Sequence, residues 1–210
     1  MKICVYTNHF FPEDFKVNDI AFELQKRGHD ITVITALPDY PKRSMYRDYT
    51  IFRRSNETVN GVHVYRLPAI PRSTGNKIAL ILNYISYFLS VSIFTFFFKY
   101  TQRFDAVFVH HTSPFFMSLA AVSLKKKQRI PLVFWCLDLW PESLTAAAGI
   151  KSSIILRPQI AMVQHVYNNS EVILIGSRGF EKSICEKGDY KEKLVYFPNW
   201  AEYSASTLHE

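Results

Sequence analysis

The sequence predicts an α/β fold: a doubly wound parallel sheet of about seven strands with helices between them. Two observations carry this reading. Short apolar runs, bounded by polar or turn residues, recur along the chain. Apolar residues at helical spacing fill the gaps, and a strand, helix, strand unit occupies the first 35 residues.

Each element has its own signal. Lys2 to Thr7 reads as a strand buried on both faces, because its apolar run does not alternate. Val17, Ile20, Ala21 and Leu24 recur at i, i+3, i+4 and i+7, an amphipathic helix that Gly28 can stop. Ile31 to Thr35 is the second strand. Val62 to Arg66, Asp105 to His110, Leu132 to Cys136, Val172 to Ile175 and Leu194 to Phe197 supply five more. Ser113 with Pro114 behind it predicts a capped helix start. That helix ends on Lys125, Lys126 and Lys127, which suit the negative end of the helix dipole. A further helix covers about Ile154 to Tyr167, and a short one follows Ser177. Leu37 to Asn60, rich in Pro, Tyr and Arg, reads as the longest loop.

Composition narrows the function. The chain has 210 residues, 25 Lys+Arg and 18 Asp+Glu, a net charge of +7. At 48% hydrophobic it can bury a core, which excludes a disordered chain. The basic residues are scattered and no nucleic-acid motif occurs, so no nucleic-acid partner is expected. An anionic substrate or membrane surface fits the charge at least as well. The apolar run after Met1-Lys2 is too short for a signal peptide. Cys4, Cys136 and Cys185 sit among apolar residues and read as reduced, structural, cytosolic thiols. No Cys/His spacing suggests a metal site.

Ile78 to Phe98 carries no charge and lies between Lys77 and Lys99. At about 1.5 Å per residue it is long enough to span a bilayer. Crossing is disfavoured by topology, since strands before and after it belong to one sheet. Two readings stay open. One is a long core helix with Asn83, Ser86 and Ser90 on a common face. The other dips an aromatic face into the membrane interface, with Tyr84, Tyr87, Phe94, Phe96, Phe97 and Phe98 as its candidates.

Ligands of such sheets bind beyond the carboxyl ends of the strands. The loop after the first strand, Asn8 to Asn18, has no GxGxxG, which counts against an oxidoreductase. It does hold His9 and Glu13. Lys16 and Asn18 stand at the following helix N-terminus, where backbone N–H groups favour phosphate. His110 and His111 end one strand, with Ser113 close behind; one of two adjacent strand histidines is expected to face out, as a site histidine or in a plain capping role. Asp138 follows Phe134 to Leu137, and Trp140, Pro141 and Glu142 come next. A carboxylate there can accept a sugar hydroxyl or steady developing positive charge. A helix-capping Asp before Pro141 is the plain alternative.

At these residues the sequence resembles the N-terminal half of family-4 glycosyltransferases with the GT-B fold. The nearest subgroup is that of O-antigen and colanic-acid enzymes, including N-acetyl-L-fucosamine transferase-like proteins. The matching stretches are KICVYTNHFFPE, N18-x-x-A-x-x-L, RGHDITVITALPDYP, HHTSPFF, PLVFWCLDLWPESL and FPNWAE. The resemblance implies a Rossmann-like domain over 1–202 with a tail over 203–210. It implies transfer of a sugar, with retention, from a nucleotide-sugar donor to a lipid-linked saccharide at the cytoplasmic membrane face. No tightly bound cofactor or metal is expected. Asp138 falls where relatives place a polar group, often His, beside the donor sugar, so it is expected to be catalytic. His9, Glu13, Lys16, Asn18, His110, Ser113, Trp140 and Glu142 are the expected acceptor-side contacts. Lys16 stands where relatives carry paired glycines near the donor phosphate. The nucleotide-binding C-terminal domain with its E-x7-E motif is expected to be missing, which predicts a fragment inactive alone. The competing reading is a non-catalytic, membrane-peripheral subunit of a split or truncated transferase.

Overall fold

The computed structural model describes residues 1–41, 46, 48–50, 52–71, 77–148 and 153–201. Its elements in order are β1 (Lys2–Thr7), α1 (Lys16–Lys26), β2 (Asp30–Ala36), β3 (Asn56–Val59) and β4 (Val62–Leu67). Then come α2 (Lys77–Thr101), β5 (Ala106–His111), α3 (Met117–Gln128), β6 (Leu132–Cys136) and α4 (Glu142–Ala148). The chain closes with α5 (Ser153–Asn168), β7 (Val172–Ile175), α6 (Phe180–Cys185) and β8 (Leu194–Tyr196). The strands form one sheet of order β3-β4-β2-β1-β5-β6-β7-β8. Every pairing is parallel except β3 with β4.

The α/β doubly wound expectation holds, and all seven expected strands are present. The eighth, β3, lies inside the stretch read as loop. Asn60 (φ 50) and Gly61 (φ 83) join it to β4 in a two-residue turn. Both residues take the left-handed conformation such hairpins require. Gly28 (φ 84) stops α1 as expected, its N–H and that of His29 returning to the carbonyls of Gln25 and Leu24.

Strand alternation sends residues to two cores. Cys4, Tyr6, Ile34, Val107, Val109, Phe134 and Cys136 face the layer of α2, α3 and α5. Ile3, Val5, Ile31, Val33 and Val64 face α1. The winding reverses between β1 and β5, with Thr7 opposite His110. That reversal opens a crevice at the carboxyl ends of the strands.

The long apolar helix does not cross away from the sheet. α2 runs against the strands: Tyr87 Oη donates to the Thr7 carbonyl at the strand ends (2.9 Å), and Tyr6 Oη bonds Thr95 Oγ1 (3.0 Å). Phe98 reaches Phe104, just before β5 begins. Asn83 and Ser90 clamp the carbonyls of Ile70 and Pro68. Its outer face differs from the expected one. Tyr87 and Phe98 are buried, and Phe94 packs partly against the core. The exposed stripe is Ile81, Ile85, Leu89, Ile93, Phe96, Phe97 and Tyr100. This helix is long and apolar enough to span a bilayer, yet only 22% of its most apolar window is buried. Both of its faces are apolar, so composition alone could not tell which one the sheet takes.

Candidate functional site

The sheet delivers the expected residues to one rim, beyond the carboxyl ends of β1, β2, β5 and β6. They form two groups on opposite faces of that rim.

The first group surrounds Glu13. His9 Nδ1 lies 3.0 Å from Glu13 Oε2, and both side chains are buried. Glu13 Oε1 accepts the backbone N–H groups of Asp39 (3.0 Å) and Tyr40 (2.6 Å). One carboxylate therefore fastens the loop after β1 to the loop after β2. Asn18 donates to the Glu13 carbonyl (2.7 Å) and accepts from the Phe11 N–H (3.0 Å). Its amide orders the loop. Phe15 stacks on His9 at 4.6 Å. Ligand-capable atoms of His9, Glu13 and Asp39 lie within 4.8 Å of one another, the group among the described residues with metal-ligand proximity. The bonds just described already engage both Glu13 oxygens and His9 Nδ1.

His110 lies behind this group, with Nδ1 2.9 Å from Thr7 Oγ1 and its ring 5.3 Å from Trp135. Burial, then the neighbouring His9 and His111, pushes its pKa down to about 3. The expectation that one of the two histidines faces out fails, because both are buried. The strand end is covered on both faces. His111 stacks on Phe134 (5.2 Å) against Phe115 (4.8 Å), and neither ring nitrogen has a hydrogen-bond partner. Burial brings its pKa down to about 4, against a small raising effect of Asp138. Both rings are neutral at physiological pH.

The second group surrounds Asp138, which is half-buried just past β6. Its two oxygens accept the hydroxyls of Ser113 and Ser143. Ser113 Oγ in turn accepts Trp140 Nε1 (2.9 Å), and Trp140 is buried. Ser113 does not cap α3, which begins at Met117. Its hydroxyl is taken by Asp138, and the Ser113-Pro114 bond is cis. Asp138 does not simply cap a helix either; two side-chain hydroxyls fix its plane. Glu142, the first residue of α4, turns toward α6 and accepts Ser183 Oγ (2.6 Å) and Lys187 Nζ. Burial raises its pKa, but those bonds outweigh it and hold the carboxyl below its ordinary value.

Lys16 opens α1, its Nζ 3.7 Å from Asp19 and 5.8 Å from the Trp200 ring. Trp200 donates to Asp19 (2.9 Å) and stacks on Trp135 (6.0 Å). The segment after β8 thus returns across the α1 side of the sheet to the rim.

Residues 16–200 match the family described as glycosyl transferase 4-like domain.

The chain belongs to that glycosyltransferase family. It is 24% identical over 209 residues to the putative colanic acid biosynthesis glycosyl transferase WcaI of Escherichia coli (strain K12). That match covers 96% of this chain and 51% of WcaI, so the chain spans about half the length of this curated relative. Sucrose-phosphate synthase of Thermosynechococcus elongatus superposes with a TM-score of 0.61 at 11% identity, over 95% of this chain and 48% of that one. Anabaena Alr3699/HepE in complex with UDP and glucose gives 0.54 at 12%, over 96% and 45%. The Rossmann-like fold and the GT-B kinship expected from sequence are thereby borne out.

The sequence reading missed several rim residues. Asp39 and Tyr40 were visible only as part of a loop, although both follow β2 at its carboxyl end. Ser143 looked like an ordinary helix residue. Asn8, which donates to the Thr112 carbonyl (3.0 Å) and ties the loops after β1 and β5 together, was visible only as one letter of the stretch that opens the chain.

Proposed function

We propose that this chain is the acceptor-side half of a glycosyltransferase that moves a sugar from a nucleotide-sugar donor to a lipid-linked saccharide, retaining anomeric configuration. The observation that carries the reading is the anchored carboxylate of Asp138 at the rim of a family-4 domain. Each of its oxygens keeps acceptor capacity after taking one hydroxyl. Its charge is fixed in place before substrate arrives, which is what stabilising positive charge at a reacting sugar carbon requires. Glu13 and His9 hold the neighbouring loops so that the acceptor meets a shaped wall. Lys16, at the α1 N-terminus, is placed to meet a phosphate of donor or acceptor.

The other wall is a nucleotide-binding domain or subunit, and the 210-residue chain is inactive without it, because one wall cannot hold both reactants. The exposed α2 stripe supports a seat at the cytoplasmic membrane face, beside an undecaprenyl-diphosphate-linked saccharide as acceptor. The test supplies the donor half and measures transfer to such an acceptor. Activity is expected only with both halves, and Asp138→Ala is expected to lower kcat about a hundredfold with a smaller change in KM. Full activity of Asp138→Ala overturns the assignment. Membrane binding without transfer under any pairing supports a non-catalytic subunit instead.

A further inference from the structure

The layer of α2, α3 and α5 has a one-sided charge. Lys77 and Lys99 on α2, Lys125 to Lys127 on α3 and Arg157 on α5 are accompanied by no Asp or Glu in the sequences of the three helices. Most of the chain's excess of +7 therefore resides in this layer. Lys125 is neutralised by Glu171. Lys99, Lys126 and Lys127 have no carboxylate partner among the described residues.

These three lysines line one crevice of about 470 Å³ between the helices, together with Ser123 and His165. Lys99 donates to Ser123 Oγ (3.1 Å), and Lys126 lies 3.5 Å from His165 Nε2. The ammoniums of Lys99 and Lys127 both sit over the Tyr100 ring, at 5.6 and 4.4 Å. Tyr100 is also the last residue of the exposed apolar stripe, next to Phe96 and Phe97. Cations gathered around the aromatic end of an exposed apolar helix match the chemistry of the interface, where rings sit at headgroup level and ammoniums meet phosphates.

We propose that this crevice binds the phosphate of an anionic membrane lipid, with Lys99, Lys126 and Lys127 as its ligands and the α2 stripe inserted beside it. The proposal rests on the membrane reading above and adds to it a defined headgroup site. It lies at the end of α2 remote from the rim, so it is separate from the acceptor site.

The test is flotation of the 210-residue chain with vesicles of phosphatidylcholine, alone or carrying phosphatidylglycerol. The variant K99Q/K126Q/K127Q is expected to lose affinity for phosphatidylglycerol vesicles by on the order of a hundredfold, from about a fivefold effect for each basic residue. K26Q/K182Q/K191Q removes equal charge elsewhere and is expected to lose far less. Equal losses in the two triples overturn the crevice while leaving membrane binding intact. The stripe variant I85S/I93S/F97S tests the underlying reading: it should weaken binding to both vesicle types, and unchanged binding overturns membrane insertion and the proposal with it. Phosphorus NMR with inorganic phosphate separates the sources. Weak phosphate binding that phosphatidylglycerol vesicles displace is expected; binding of phosphate alone as tight as that of vesicles overturns the lipid assignment.

Discussion

Replacing His111 with Phe should flatten the acid sensitivity of this fold. The ring is sandwiched by Phe134 and Phe115 and has no hydrogen bond to lose. In the native state its pKa is held down to about 4, against 6.5 when free. Below pH 6.5 the unfolded chain takes up a proton that the native chain refuses. The stability present above that pH is therefore lost as pH falls toward 4. Each unit of pH inside the window is worth about 1.4 kcal/mol, so at pH 5 the single ring removes about 2 kcal/mol. His110, held at about 3, removes a similar amount at pH 5 and goes on removing stability below pH 4. Urea unfolding of wild type and His111→Phe at pH 7.5 and pH 5 measures the difference. At pH 7.5 the two should match or the variant should gain slightly, because an unpartnered buried polar group is relieved. At pH 5 the variant should exceed wild type by about 2 kcal/mol. Equal pH dependence in the two proteins would show that His111 titrates normally, which a ring buried as described cannot do.

Two further outcomes follow from buried charges. Glu13→Ala leaves His9 and the N–H groups of Asp39 and Tyr40 without their acceptor, and should destabilise the domain by about 3 kcal/mol in urea titration, with a loss under 1 kcal/mol refuting the role as fastener. Arg66 is fully buried and bonds Glu57 Oε1 through Nε (3.1 Å) and Nη2 (2.7 Å). Glu57→Ala should therefore cost about 3 kcal/mol in thermal or urea unfolding, more than Arg66→Met, because the former strands a fully buried guanidinium whereas the latter leaves a carboxylate that still reaches solvent; the reverse order refutes the pairing.

How much the sequence disclosed differs by element. Every parallel strand was legible: the central ones are buried on both faces and so apolar nearly throughout, and β4 shows itself by alternation. The hairpin of β3 was also written there: Asn60-Gly61 is a strong turn signal, but the polar Asn56 to Thr58 hid the strand beside it. An edge strand needs only one buried face. Ser113-Pro114 imitated a helix start because the cap pattern is local, whereas the partner that captured the hydroxyl, Asp138, lies 25 residues away. For the same reason the strand end of Asp138 could be read, but not the two serines that orient it. The histidine pair was misjudged because alternation says which face a residue takes and not whether that face is covered.

The direction of α2 sets how the domain would rest on a bilayer. Its axis lies along the strands, with Tyr87, near its middle, beside Thr7 at the rim and its end beside Phe104. A bilayer under the outer stripe would then run parallel to the sheet, and the acceptor crevice at the rim would open sideways rather than downward. An acceptor tethered by its lipid could drift in within the plane of the leaflet. Its sugar would enter from the flank without its anchor being lifted out.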